Sequence, residues 1–265
     1  MATREEILAE RNRVVERYGA WTAHDIDLGQ GVSTLDNGLW QQWRVDFFAA
    51  LIKDYASAGR PGRILDLACL EGLFAIEFAR KGHETVGLEI REAHLAKAEF
   101  SRRMLDLGNC RFVQGDVRAI PPDLGQFDIV LCAGILYHLD FPDCVRFLRD
   151  VARRATGLVI IDSHFAYEDI DRSVLPLSEM KQYELEGHTY RGREIVEHAS
   201  NVTAEEKAKV HIWASIDNPR SLWLLEADVC RTMEECGFAL AEKRFPSPSY
   251  QQQNPDRPTL TFRRR

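Results

Sequence analysis

The chain has 265 residues and a mass of 30.3 kDa; 45% of its residues are hydrophobic and 28% are charged. This balance is typical of a soluble globular protein and excludes a disordered, collagen-like or disulfide-stapled chain. The net charge of −7 disfavours a nucleic acid as partner, because the chain has no overall attraction to phosphate backbones.

The cysteines and the N-terminus favour a cytoplasmic protein. None of the six cysteines forms a CxxC pair, and four lie in apolar runs, which predicts reduced, buried thiols and no metal site. No apolar run approaches the ~20 residues of a membrane helix, so we expect no membrane partner. The first 17 residues are charged throughout and carry no signal-peptide core.

Two helices are predicted before residue 58. Thr3 and Glu6 form a capping box, and apolar residues then repeat on one helical face as far as Tyr18. The segment 20–38 has no period and is predicted to be a loop or lid, and a second amphipathic helix is predicted over 39–56. We assign residues 1–58 to an N-terminal helical cover.

From residue 59 onward, buried strands alternate with helices. The predicted strands are Arg63–Leu67, Thr85–Leu88, Arg111–Val113, Phe127–Cys132, Leu158–Ile161, Phe238–Arg244 and Thr259–Arg263. Helices of this length between strands require right-handed crossovers and a doubly wound sheet. The prediction is a Rossmann-like α/β fold with seven strands, parallel except for a C-terminal antiparallel hairpin strand.

One insertion interrupts this alternation within the domain 59–265. Residues 163–219 are predicted to form a lid or substrate insertion. Arg191 and Arg193 in it suit a carboxylate or phosphate of an acceptor, with solvated loop charges as the alternative. After the insertion a helix is predicted over 221–236, with Asp217 or Asn218 as its cap and Trp223 in the core.

Three acids stand at the carboxyl ends of successive strands, where doubly wound sheets bind ligands. Asp66 follows the first strand, Glu89 the second and Asp116 the third. The turn after Asp66 lacks the glycine patterns of pyrophosphate and phosphate loops, so it suits a cationic amine. Glu89 suits the hydroxyls of a ribose, and Asp116 suits the amino group of adenine. An alternative is that each acid only satisfies the amides of a helix N-terminus.

The blocks DLACLEG, VGLEI, FVQGDV and FDIVLCAGILYHL together resemble the class I S-adenosylmethionine-dependent methyltransferases. They occur in that family's order, between residues 63 and 162. The resemblance implies S-adenosylmethionine (SAM) as cofactor and S-adenosylhomocysteine (SAH) as product. The residues that it implies around the cofactor are Asp66, Ala68 and Gly72 at the methionine portion, Glu89 at the ribose, Ile90 at the adenine face, and Asp116 with Val117 at the adenine edge.

Two further residues complete the predicted cofactor set. Cys132 ends the fourth strand, although a buried core thiol is the simpler interpretation of it. Arg44 belongs to the predicted second helix. The family's turn usually has glycines where this chain has Ala68 and Leu70, which narrows the conformational freedom of the turn.

The predicted catalytic residues follow the fourth and fifth strands. The fourth strand leads to Tyr137 and His138 without the Asn/Asp-Pro-Pro-Tyr/Phe element of enzymes that methylate base amino groups. His164 follows the fifth strand. Because histidine suits a base for an oxygen acceptor, we predict O-methylation of a small molecule over N-methylation. The alternative is that His138 caps a helix and His164 lies in a surface loop.

Two other functions stay open at this point. The GILYHL and LWQQWR segments are similar to the branch of the superfamily that transfers a carboxymethyl group to tRNA wobble uridine. That resemblance implies Tyr137 at the cofactor and Arg44 on the extra carboxylate. A non-catalytic nucleoside-binding module is the other alternative, and retention of all three acids argues against it.

Overall fold

The computed structural model describes residues 2–35, 41–55, 62–169, 175–199, 201–203, 206–207 and 213–265. The helices are α1 (Arg4–Tyr18), α2 (Gln42–Tyr55), α3 (Leu73–Arg80), α4 (Glu92–Met104), α5 (Asp143–Arg154), α6 (Glu226–Glu235) and α7 (Pro248–Gln253). The strands are β1 (Arg63–Leu67), β2 (Glu84–Glu89), β3 (Cys110–Gln114), β4 (Phe127–Ala133), β5 (Ala155–Asp162), β6 (Lys181–Leu185), β7 (His188–Val196), β8 (Arg220–Leu224), β9 (Phe238–Arg244) and β10 (Thr259–Arg264).

The large sheet confirms the predicted fold class. Its seven strands run in the order β3-β2-β1-β4-β5-β10-β9. β1 pairs in parallel with β2 and β4, β2 pairs in parallel with β3, and β10 pairs antiparallel with β9. The order changes direction at β1 and β4, so the carboxyl end of β1 lies at the switch point where such sheets bind ligands.

The predicted first helix and its capping box are confirmed. Thr3 caps α1 through a capping box with Glu6, and Gly19 ends the helix with a φ of 79°. Residues 20–35 form no helix and only an isolated bridge, yet Trp21, His24 and their neighbours are buried. Residues 36–40 and 56–61, which hold the ends of the predicted lid and second helix and the predicted boundary at 58–59, lie outside the described residues.

The helix predicted over 221–236 is wrong in its first part. Residues Arg220–Leu224 are β8, which pairs with β7 in a separate three-stranded sheet, and α6 begins only at Glu226. The neighbouring strand β7 and the carbonyl of Leu139 supply backbone hydrogen bonds to this segment, so it needs no helical hydrogen bonds. Asn218 therefore caps no helix, and its amide donates to the carbonyl of His138 at 3.2 Å. Trp223 is buried, as the core interpretation expects.

The chain packs as two compact units. The first comprises Met1–Leu131 and Ala155–Leu158, and it holds the three predicted cofactor acids. The second comprises Cys132–Arg154 and Val159–Arg265, and it holds Tyr137 and the two predicted catalytic histidines. No helix among the described residues is long and apolar enough to cross a membrane.

Candidate functional site

The turn after β1 has three alternate residues in the left-handed region. Ala68, Leu70 and Gly72 have φ values of 54°, 48° and 88°. The first two therefore adopt a conformation that glycine adopts without steric cost. At Gly72 a side chain is excluded in addition, because a Cβ atom would lie 2.7 Å from the Phe112 ring. The turn thus holds two non-glycine residues, Ala68 and Leu70, in the left-handed region.

Asp66, at the end of β1, has the signature of a ligand-binding group. Its side chain is buried, and its Oδ2 atom accepts no hydrogen bond from the described residues. Burial raises the pKa of this carboxyl to about 7, although the backbone amide of Ala75 opposes the shift. A buried carboxylate oxygen without a donor is rare and costly in proteins. It fits a cationic amine as its missing partner.

Glu89, at the end of β2, is buried and fixed by its neighbours. One oxygen accepts from the amide of Leu70 at 3.0 Å, and the other accepts from the amide of Arg91 at 2.8 Å. His94 Nδ1 lies 3.8 Å from Oε1. Burial alone would raise the pKa of Glu89, but His94 and these amides hold it below its ordinary value. Each oxygen keeps a second lone pair, so an ionised Glu89 can accept from a ribose diol.

The adenine-edge residues are arranged differently from the other acids. Asp116 is half-buried and forms a bidentate pair with Arg118, whose nitrogens lie 2.6 and 2.9 Å from Oδ2. This pair holds the pKa of Asp116 below its ordinary value, against the effect of burial. Val117 is buried and Ile90 is partly buried, so both offer apolar surface. Asp116 is therefore ionised, but it shares its charge with Arg118.

Sequence reasoning missed Glu71, which fastens the segment after α1 to the β1 turn. Its buried carboxylate accepts from the amides of Ala23 and His24 at 3.0 and 2.9 Å. Buried Lys97 donates to it at 3.2 Å. The only available signal was an acid inside the DLACLEG block, because the amide partners lie 47 and 48 residues away in the sequence.

His24 and Arg44 stand beside this turn in the same unit. His24 Nδ1 accepts from the amide of Leu73 at 3.2 Å, the first residue of α3. Burial lowers the pKa of His24 to about 4, so its imidazole is neutral near pH 7. The guanidinium of Arg44 lies over the rings of Phe48 and Phe74 at 5.6 and 5.2 Å. It opposes the raised pKa of Asp66, which places a positive charge near that carboxyl.

In the second unit, Tyr137 brings the two predicted catalytic histidines together. Its ring centroid lies 4.3 Å from that of His138 and 4.8 Å from that of His164. Arg257 covers the Tyr137 ring at 5.3 Å and forms a 2.7 Å ion pair with Asp162. These contacts join residues from the ends of β4, β5 and the segment before β10.

Each of these histidines has a carboxylate partner that sequence reasoning missed. His138 Nδ1 lies 3.0 Å from both oxygens of Glu197, at the end of β7. His164 Nδ1 lies 3.2 Å from Oδ1 of Asp256, without the alignment of a hydrogen bond. His164 stacks on Trp223 with centroids 4.6 Å apart. His138 ends a 3-10 turn and caps no helix, so the helix-cap interpretation is wrong. His164 does lie in a loop, but its side chain is only 12% exposed.

Three other predicted site residues are buried or bound to neighbouring protein groups. Arg193 is buried, and its guanidinium donates to the carbonyls of Tyr167, Ser178 and Glu168. Arg191 pairs with Glu168 at 2.7 Å. Cys132 is completely buried within β4. Arg193 therefore stabilises its own unit, and its donors are not available for an acceptor's carboxylate.

Comparison with known proteins agrees with this geometry. A family model described as a methyltransferase domain matches residues 64–156. A putative methyltransferase YqeM of Bacillus subtilis (strain 168) is 33% identical over 117 residues, which are 43% of this chain and 47% of that protein. A ubiquinone biosynthesis O-methyltransferase of Acinetobacter baumannii (strain AYE) is 25% identical over 45% of this chain and 49% of that protein. The chain thus matches about half the length of these curated relatives.

A solved structure resembles nearly the whole chain. The N-terminal domain of EvdMO1, crystallised in the presence of SAH and D-fucose, aligns with 97% of this chain and 96% of its own. The TM-score is 0.67 and the sequence identity is 23%. Identity at this level shows a shared fold.

Proposed function

We propose that this chain, whose residues 64–156 match a family model described as a methyltransferase domain, is a SAM-dependent methyltransferase that methylates a hydroxyl group of a small molecule. The observation that carries the cofactor half of the proposal is the buried Oδ2 of Asp66, which lacks a donor. The observation that carries the acceptor half is that the second unit holds a histidine beside a buried carboxylate. Both halves are open to direct tests.

The first unit supplies the residues that suit the cofactor. Asp66 would accept from the amino group of the methionine portion, beside Ala68 and Gly72, whose backbone shapes the turn. Glu89 would accept from the ribose hydroxyls. The bound cofactor supplies an electrophilic methyl group. The assignment of Ile90, Val117, Cys132 and Arg44 to the same cofactor is a proposal that rests on the family resemblance.

Asp116 would contact the adenine amino group. Because its charge is shared with Arg118, we assign it a smaller share of the binding free energy than Glu89.

The second unit supplies groups that suit an oxygen acceptor. A hydroxyl must lose its proton as it is methylated, and a histidine held by a carboxylate is a suitable base. A neutral amine needs no such base before it attacks. A relative named as an O-methyltransferase and a neighbour crystallised with a sugar support an oxygen acceptor.

The test is methyl transfer from SAM that carries a labelled methyl group. Three probe acceptors distinguish the acceptor classes: D-fucose as a sugar, catechol as a phenol, and benzylamine as an amine. We expect label on oxygen in D-fucose or catechol, and none with Gly72→Ala, in which the turn cannot form. SAH binding without transfer to any hydroxyl, or faster transfer to benzylamine, would reject the oxygen acceptor.

A further inference from the structure

The two histidine–carboxylate pairs of the second unit differ in the number of hydrogen bonds that the carboxylate accepts. Glu197 accepts from His138 Nδ1, from the Ser221 hydroxyl at 2.7 Å and from the Ser215 amide at 3.2 Å. Burial alone would raise the pKa of Glu197, but these donors hold it below its ordinary value. Glu197 is thus an ionised, saturated group that ties β7, β8 and the turn after β4 together.

Asp256, by contrast, is a buried carboxylate without hydrogen-bond donors among the described residues. It is 1% exposed, and neither of its side-chain oxygens accepts a hydrogen bond within the described part of the chain. The neighbouring cation in the sequence, Arg257, pairs with Asp162 instead. A buried carboxylate without a hydrogen-bond donor is costly. His164 is the neighbour that this carboxylate can act on, because its Nδ1 lies 3.2 Å from Oδ1. A carboxylate at this place can orient the imidazole and stabilise an imidazolium that forms during catalysis.

The ring of His164 is held in one plane. Trp223 stacks on it at an interplanar angle of 16°, and Tyr137 meets it edge-on at 84°. Because Nδ1 is the ring nitrogen 3.2 Å from Oδ1 of Asp256, Nε2 is the nitrogen that remains for another partner. Nε2 makes no hydrogen bond to any described residue. The ring therefore presents one nitrogen to its carboxylate and leaves the other for a ligand.

We propose that His164 is the general base of this site, that Asp256 is its positioning residue, and that His138 with Glu197 is a structural tie. This assignment rests on the proposed oxygen acceptor. The acceptor hydroxyl would give its proton to Nε2 of His164 as it is methylated. Bound SAM would supply the methyl group and leave as SAH, and the imidazolium would later return its proton to solvent. Catalytic hydrogen bonds that are poorly aligned in a free enzyme tighten when the substrate binds, as the His164–Asp256 contact would.

The test compares Asp256→Asn and His164→Gln with Glu197→Gln and His138→Gln. The acceptor is whichever of D-fucose and catechol the wild type methylates faster. We expect His164→Gln and Asp256→Asn to lower kcat by about 100-fold or more. The KM of the acceptor should change little, because a base acts mainly in the transition state. Glu197→Gln and His138→Gln should lower kcat by less than about tenfold.

Urea unfolding gives a readout that does not depend on activity. Asp256→Asn removes a buried charge that accepts no hydrogen bond from the described residues, so its unfolding midpoint should equal or exceed that of the wild type. Glu197→Gln breaks a saturated network and should lower the midpoint. A lower midpoint for Asp256→Asn, or a larger loss of kcat in His138→Gln than in His164→Gln, overturns the assignment of His164 and Asp256 but leaves the oxygen acceptor standing. Failure of the wild type to methylate either hydroxyl probe overturns the oxygen acceptor and the assignment with it.

Discussion

Lys97 Nζ lies 3.2 Å from Oε1 of Glu71, and both side chains are almost completely removed from solvent. The same carboxylate accepts the amides of Ala23 and His24, so one buried charge pair joins α4, the β1 turn and the segment after α1. Lys97 also donates to the carbonyl of Ala20 at 2.6 Å. The shape of the turn beside Asp66 therefore depends on residues far away in the sequence.

Removal of Lys97 should be strongly destabilising. Lys97→Met leaves the Glu71 carboxylate buried without its cation, a change that costs about 3–5 kcal/mol in other buried pairs. The measurement is the free energy of unfolding in urea. Arg13→Ala is the matched control, because Arg13 pairs with Glu10 on the surface at 2.8 Å, and it should cost at most about 1 kcal/mol. Equal unfolding free energies for the two variants would contradict the role of this pair.

The left-handed turn predicts opposite effects for two glycine substitutions. Ala68→Gly relieves a residue with a φ of 54°, whereas Ala75→Gly puts glycine into α3. Relief of left-handed strain gains roughly 1–2 kcal/mol, which offsets the roughly 1 kcal/mol that glycine loses in conformational entropy. We expect Ala68→Gly to be neutral or stabilising and Ala75→Gly to be destabilising in urea unfolding. A larger loss of unfolding free energy in Ala68→Gly than in Ala75→Gly would show that the turn is not strained.

The two acids at the ends of β2 and β3 should differ in their effect on SAH affinity. Glu89→Gln removes a charged acceptor of the ribose hydroxyls, a loss of about 1.5–3 kcal/mol, or roughly 10- to 150-fold in Kd. Asp116→Asn should cost less, since Asp116 already shares its charge with Arg118. Calorimetric titration with SAH measures both. Glu84→Gln, at the exposed start of β2, is the control and should bind SAH as the wild type does. Unchanged affinity in Glu89→Gln would reject the nucleoside assignment.

Local sequence patterns predicted the large sheet because its strands are apolar runs separated by helices of regular length. They failed at Arg220–Leu224, where partners in β7 and at Leu139 determine the strand. The sequence SLWLL has no turn residue before Glu226, so strand and helix could not be separated by period. Pairing with β7 in the folded chain makes this segment a strand.

The candidate site also contains residues that local sequence patterns predict and residues that they do not. Asp66, Glu89 and Asp116 were predictable because each directly follows a strand, and the sheet brings strand ends to one edge. Asp256 and Glu197 were not, because their histidine partners are 92 and 59 residues away and neither acid belongs to a motif. Contacts of this kind form only in the folded chain, so no local sequence pattern predicts them.

Asp66 should make the affinity for SAH depend on pH. Its folded pKa of about 7 lies above the ordinary value of 3.8, so the free protein holds a proton on Asp66 through most of that interval. Because the folded state binds more protons than the unfolded state there, this group's contribution to stability falls as pH rises from about 4 to 7. The cationic amine of SAH favours the ionised carboxylate and should expel the proton. Affinity should therefore rise toward pH 7, up to about tenfold per pH unit.

Calorimetry of wild type and Asp66→Asn between pH 5 and 8, in buffers of different ionisation enthalpy, measures this linkage. At pH 6 the wild type should release close to one proton when SAH binds, because most of its Asp66 is protonated beforehand. Asp66→Asn cannot titrate, so it should bind SAH more weakly, with a flatter pH profile and less proton release. Glu89 keeps a lowered pKa and stays ionised across this range, so it does not produce the same dependence. Identical pH profiles for the two proteins would remove Asp66 from the cofactor site.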